Sequence, residues 1–559
     1  MKKGKFLIIM LIAILAGSFD ISAQESAKNA GFEAITIDAI QGQLEFLSSD
    51  WTEGRETGTK GAYMAADYIA SMFQVFGLKP GGDIIPPPYR RGMTMEEYAE
   101  LVPERTYMQN FKLVESWSGD TQELSVVTKS GDAVKTVNFN YRTDFSISGG
   151  SNGIEGEVPV VFAGYGLQDK DKGYDDLKGL DIKGKIVVVL SGFPGHKNPG
   201  SKTYEKFKPQ PRGEDGQRPP RTVRYGRGPR HPWAAEKGVL AVIEYNPNAD
   251  PARQWADNTV YYPPETNGPA RGGVSKSMSR PDVPPRYVRG LSFTVTDKVI
   301  KELAKGLDVD FDALEEQIDQ TGKPASMALP GKYLRFKTSV NSRIINARNV
   351  VGVMEGEDTE NIIVIGGHYD HIGMRDGWIF NGADDNASGT VGVMTIAKAM
   401  AASGIKPKKT IVFCAWTGEE KGLIGSGYFV DYPYDGKNIL CNLNYDMISR
   451  EARVQDQDRY PRMTFTSSLP LLRELTEKHN EEYKIDLDVV FNGSEQPGGG
   501  SDHAPFARAG IPIFYFMAAM PDEYHRPGDH VDLVNWEIMQ KIIQLGYLNI
   551  FELSNMDWN

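Results

Sequence analysis

After about residue 335 the chain alternates short apolar runs with helical stretches, and this restricts its fold more than any other feature. "NVVGVM", "NIIVIGGHYD", "TIVFCAWT" and "ILCNLNYDM" are apolar at consecutive positions, as in strands buried on both faces. "GTVGVMTIAKAMAASG" between them reads as a helix. Such alternation implies β-α-β units and an α/β fold with a largely parallel sheet, helices covering both faces. In sheets of this kind ligands sit at the carboxyl ends of the strands. The polar residues of this segment gather there.

The remainder of the chain differs in character. Ile37, Ile40, Leu44 and Leu47 recur at three- and four-residue steps, and "KGAYMAADYIASMFQVFGLKPGG" continues as a second helix ended by Gly77 and Pro80. Between about 155 and 300, "EVPVVFAGYG" and "GKIVVVLSG" read as short buried strands, and "WAAEKGVLAVIEY" as a helix leading into another. Residues 202 to 230 are rich in Pro, Arg and Gly and carry a local excess of basic groups. No aromatic or strand spacing organises them, so the reading is a solvated loop, with an anion-attracting surface as its alternative. A length of 559 residues exceeds one ordinary domain.

Charge and address narrow the function classes. A net charge of −12 argues against a nucleic-acid binder. Lys2, Lys3 and Lys5 precede the apolar stretch Phe6 to Ala16, and Ser22-Ala23-Gln24 offers a small-residue cleavage site. This is the pattern of a secretory signal peptide, residues 1 to 23, too short to span a membrane comfortably. The expected product is exported, periplasmic or secreted, with no membrane span after processing. Cys414 and Cys441 lie in apolar strand-like runs and read as two buried thiols, with a strand-to-strand disulfide as the alternative.

Five places carry candidate chemistry. "GGHYDHIG" sets His368 and Asp370 two apart at a strand end, where Asp370 can accept from the imidazole and fix its tautomer. "NGADDNASGT" presents Asp384 and Asp385; "AWTGEEKGLIGS" presents Glu419 and Glu420; "NLNYDMIS" ends a strand at Asp446; and "EYHRPGDH" offers Tyr524 and His525. Each alone has an ordinary structural explanation. Together they form a mixed nitrogen and oxygen set suited to Zn²⁺ or a similar divalent ion. So many carboxylates fit two metals sharing one bridging group.

In order and spacing these motifs resemble the co-catalytic dizinc exopeptidases, the family of bacterial leucyl aminopeptidases and glutamate carboxypeptidases. The resemblance covers roughly 335 to 559 and the N-terminal helices, and 155 to 300 resembles the protease-associated domain that several members carry as an insert. It implies a division into 24–150 (the start of the peptidase domain), 151–334 (insert) and 335–559 (catalytic domain). It also implies two Zn²⁺ ions, with Co²⁺ or Mn²⁺ as substitutes, and a peptide substrate. Asp385 would bridge them, His368 and Asp446 would complete one site, and Glu420 and His525 the other. A cis peptide would follow Asp385. Glu419 would then be free to act as general base, with Tyr524 supporting the developing oxyanion. Ser501, Asp502 and His503 would be pocket or outer groups, and His371 and His530 outer or surface groups.

Cleavage from the amino end is the expectation. The carboxylates suit a protonated amine, and within the five motifs only Arg526 could clamp a substrate carboxylate. Carboxypeptidase action, glutaminyl-cyclase-like chemistry with one zinc, and a binding module without catalysis are the alternatives. The sequence leaves the oligomeric state open.

Overall fold

Thr36 and Thr59 each turn a side-chain oxygen onto a backbone N–H three residues on, and each starts a helix. In the computed structural model these helices are α1 (Ile37–Leu47) and α2 (Lys60–Val75). The structure describes residues 24–559 except 149–152, 209–230, 246–275, 284–290, 452–459 and single positions 89, 102, 142, 232, 376 and 559. The expected signal peptide and most of the basic segment therefore lie outside the described residues. Of that segment, residues 202–207 form a short helix. Helix α1 buries Ile40, Leu44 and Leu47, and α2 buries Ala62, Ala65, Ala66, Ile69 and Phe73, the faces their spacing predicts.

The described chain divides into two units, one of residues up to Leu113 and from Ile344 onward, the other between Val114 and Arg343. In the first, four parallel strands form the centre: β1 (Asp358–His368), β2 (Lys409–Trp416), β3 (Asn438–Tyr445) and β4 (Ile513–Met517), in the order β2-β1-β3-β4. Antiparallel neighbours flank both sides, residues 350–354 against β2 and Arg462–Thr466 against β4. Strand period explains the burial. Ile363, Ile365, Ile411, Phe413 and Leu443 enter one core, while Ile362, Val364, Val412, Cys414 and Trp416 enter the other. Cys414 and Cys441 fall in opposite cores and both are free thiols.

Helices α3 (Gly389–Ser403) and α4 (Trp536–Asn555) pack into the first core. α3 starts tight against the end of β1: a Cβ on Gly367 would lie 3.1 Å from the Gly389 carbonyl carbon. That close approach brings the loop before α3 up to the strand ends.

The second unit has its own hydrophobic core. Glu155–Phe162, Ile186–Leu190, Ala241–Tyr245 and Leu291–Val295 run parallel, with Phe145–Ser148 antiparallel at one edge. It begins at Val114, whereas the sequence places the start of the insert at 151, because residues 124–130 pair with Ala133–Phe139 and Phe145–Ser148 pairs with Leu291–Val295.

Candidate metal centre

Three parallel strands deliver the side chains. His368 is the last residue of β1, Asp446 follows the last residue of β3, and Glu419 and Glu420 lie on the turn just past β2. Asp385 comes from the loop Ala383–Ser388 before α3, with a cis peptide between Asp385 and Asn386. Asn386 fastens that loop to β3, giving its Nδ2 to the Tyr445 carbonyl at 2.9 Å and accepting from Met447 N at 3.2 Å.

His368 is oriented by the chain beside it. Its Nδ1 donates to the Asp370 carbonyl at 3.0 Å, which leaves the Nε2 lone pair free. Nε2 lies 3.5 Å from Asp385 Oδ1, 3.5 Å from Asp446 Oδ1 and 3.9 Å from Glu419 Oε2. The Asp370 carboxylate, expected to hold this ring, stands 3.7 Å from Nδ1. It instead accepts from Thr57 Oγ1 at 2.9 Å and from the Glu419 N–H at 3.2 Å, so it places the glutamate turn. The backbone carbonyl of Asp370 thus takes the role expected of its side chain.

The adjacent glutamates have different surroundings. Glu420 presents Oε1 to His371 Nδ1 at 2.9 Å and Oε2 to His525 Nε2 at 3.2 Å. His525 Nε2 is also 3.1 Å from Asp385 Oδ2. Burial raises the pKa of both glutamates, but the two imidazoles overcome it for Glu420 and hold that carboxylate well below the usual range. Glu419 is pushed well above it, by burial first and then by the neighbouring carboxylates Asp502, Glu420 and Asp446.

Two groups of donors result: His368, Asp385 and Asp446, and His371, Asp385 and Glu420, with ligand atoms inside each group no more than 4.8 Å apart. Several of these atoms are buried without a hydrogen-bond partner among the described residues: His368 Nε2, both nitrogens of His371, Asp385 Oδ2, Glu420 Oε1 and Asp446 Oδ1. Each such orphan costs about 1–3 kcal/mol, so a cluster of them facing one another fits divalent ions as their common partner. Imidazole and carboxylate donors suit zinc.

Other expected residues fall nearby. Tyr524 is partly exposed, and its ring stacks on His525 at 3.8 Å between centroids. Ser501, Asp502 and His503 are all buried. Ser501 accepts from Asn444 Nδ2 at 2.8 Å, and His503 stacks on Tyr515. His530 is exposed. His371, read as an outer or surface group, is fully buried beside Glu420.

The supporting groups were not anticipated. Arg55, fully buried, donates to the carbonyls of Tyr369, Asn381 and Gly382 at 2.7, 2.7 and 2.9 Å, tying the β1 end to the Asp385 loop. Asp529 accepts the backbone N–H groups of Asp384 and Asp385, each at 3.0 Å, and pairs with Arg450 at 2.7 Å. The motif "EYHRPGDH" held Asp529 in plain view four residues after His525, but a lone aspartate there has no distinguishing pattern.

Residues 349–547 match the model of Peptidase family M28, which bears out the resemblance read from the motifs. A glutamate carboxypeptidase 2 homolog of Caenorhabditis briggsae is 26% identical over 429 residues, 66% of this chain and 49% of that protein. Aminopeptidase YwaD of Bacillus subtilis (strain 168) is 28% identical over 235 residues, 39% of this chain and 47% of that protein. The chain spans about half the length of these curated relatives. Among solved structures, an aminopeptidase from Aneurinibacillus sp. strain AM-1 shares the fold, with a TM-score of 0.53 and 17% identity over 94% of this chain and 96% of that one.

Proposed function

We propose that this chain, whose residues 349–547 match Peptidase family M28, is an exported two-zinc exopeptidase that removes residues from the amino end of peptides. The observation that carries the reading is the convergence of His368, Asp385, Asp446 and Glu420 at the ends of three parallel strands, with Glu419 beside them. His368 and Asp446 would hold one ion, Glu420 and His525 the other, and Asp385 would bridge them. When bound, such ions acidify water and polarise the scissile carbonyl.

The chain's own residues supply the rest. Glu419 is fixed through its N–H to Asp370; bound divalent ions beside it would offset the burial and carboxylate neighbours that raise its pKa, and the carboxylate would then take the proton of the attacking water. As the C–N bond breaks and the new C–O bond forms, Glu419 would return that proton to the departing amine nitrogen. Tyr524, partly exposed and stacked on His525, would meet the substrate, and its hydroxyl would support the oxyanion.

Attack from the amino end is favoured by charge. Arg450, a candidate clamp for a substrate carboxylate, is buried and paired with Asp529. The carboxylates remaining at the centre attract an α-ammonium group. Carboxypeptidase action is the second reading, supported by the similarity to a glutamate carboxypeptidase 2 homolog and by half-buried Arg526 next to His525. Peptides with blocked ends separate the two. N-acetylation should abolish cleavage and C-terminal amidation should leave it; the reverse pattern would establish a carboxypeptidase.

Export rests on the basic and apolar pattern of residues 1–23, and N-terminal sequencing of the mature protein should begin near Gln24. The unit between Val114 and Arg343 is read as a protease-associated insert.

A further inference from the structure

We propose that His371 is a sixth protein ligand of this centre, a fourth donor to the ion held by Glu420, His525 and Asp385. The inference rests on the two-ion reading above and goes beyond it.

Glu420 divides its two oxygens between two imidazoles, Oε1 toward His371 at 2.9 Å and Oε2 toward His525 at 3.2 Å. Asp385 Oδ2 faces both rings, 3.7 Å from His371 Nδ1 and 3.1 Å from His525 Nε2. The rings approach edge to face, 5.8 Å between centroids at 67°. His371, Asp385 and Glu420 thus bring ligand atoms within 4.8 Å of one another, and His525 reaches the same two carboxylates. The bland alternative is a hydrogen bond from His371 to Glu420. The 2.9 Å separation would allow it, yet neither His371 Nδ1 nor Glu420 Oε1 has a hydrogen-bond partner among the described residues, because the pair is poorly aligned. Two close polar atoms that do not point at each other suit a shared third atom.

The ring's position is built into the fold. A Cβ on Gly382, where φ is +57°, would stand 2.5 Å from His371 Cδ2, so only glycine leaves room for the imidazole. On the other side the His371 N–H donates to the Arg55 carbonyl at 3.3 Å.

With His371 counted, the two sites are unequal. Four protein donors are the habit of a closed, retained ion, and three donors with an open position the habit of a catalytic one. The site of His368, Asp385 and Asp446 is the three-donor site, and it is the one Glu419 faces. The ion at His371 is then the one held more tightly.

X-ray absorption spectroscopy of the full protein loaded with two equivalents of zinc counts the imidazoles without using activity. Three imidazoles across two zinc ions are expected; two across two would overturn the proposal. In a zinc titration, His371→Ala should weaken one equivalent by more than the roughly 10–100-fold that losing an outer-shell partner costs. His371→Asn, which keeps an N–H for Glu420, should not restore it. Unchanged affinity for both equivalents in His371→Ala, or full rescue by His371→Asn, would also overturn the proposal. If His371→Ala does not fold, the wild-type spectrum decides alone. A wild-type protein that binds no zinc would instead defeat the two-ion reading itself.

Discussion

Asp529 lies directly behind Asp385: its Oδ2 accepts the Asp385 backbone N–H at 3.0 Å while its Oδ1 accepts from Arg450 at 2.7 Å. Both Asp529 and Arg450 are almost wholly buried. A buried arginine thus anchors the loop that carries Asp385. Removing one partner of such a pair leaves an uncompensated buried charge, which costs about 3–5 kcal/mol. Urea unfolding of Asp529→Ala should show a loss of that size. The double variant Asp529→Ala/Arg450→Met should recover part of it, because the stranded guanidinium is gone.

The paired glutamates should separate cleanly. Glu419→Gln should lower turnover by about 10²–10⁴, the usual contribution of a general base, with both metals retained. Glu420→Gln should lose metal. Plasma mass spectrometry of the two purified variants, alongside their turnover, checks the assignment. Metal loss in Glu419→Gln with retention in Glu420→Gln would reverse it.

His503 predicts a pH dependence of stability. Burial pulls its pKa down to about 4, and its ring stacks on Tyr515 while Nε2 donates to the Gly498 carbonyl at 2.7 Å. An unfolded histidine titrates near 6.5, so between these values the unfolded chain binds the extra proton. The contribution is therefore complete above about pH 6.5, falls as the pH drops toward 4, and amounts to roughly 3 kcal/mol across that window. His503→Gln, which keeps a donor for Gly498, should flatten the dependence between pH 4 and 6.5. Parallel slopes for the variant and the parent protein would contradict this.

The parts of this molecule legible in its sequence are those governed by periodicity. β1, β2 and β3 are apolar runs, and a strand end is a fixed place, so His368, Glu419, Glu420 and Asp446 could be put at one edge of one sheet. Helices α1 and α2 announce themselves by the spacing of their apolar residues. The start of the second unit was not legible, because it falls inside the long strand Met108–Ser130, whose burial pattern changes little at Val114. His371 lies three residues past the end of β1, where no period dictates direction, and its burial depends on Gly382 and Arg55 elsewhere in the chain. Arg55 itself adopts φ +51° in a turn between helices, and its value comes from carbonyls more than three hundred residues away. Contacts of that range leave no local signal.

The two-ion centre is the central claim, and a zinc back-titration tests it most directly. Protein stripped with a chelator should be inactive on an unblocked peptide. Activity should return as zinc is added and level off at two equivalents per chain, with bound metal measured in the same samples. Full activity in the metal-free protein would contradict the account.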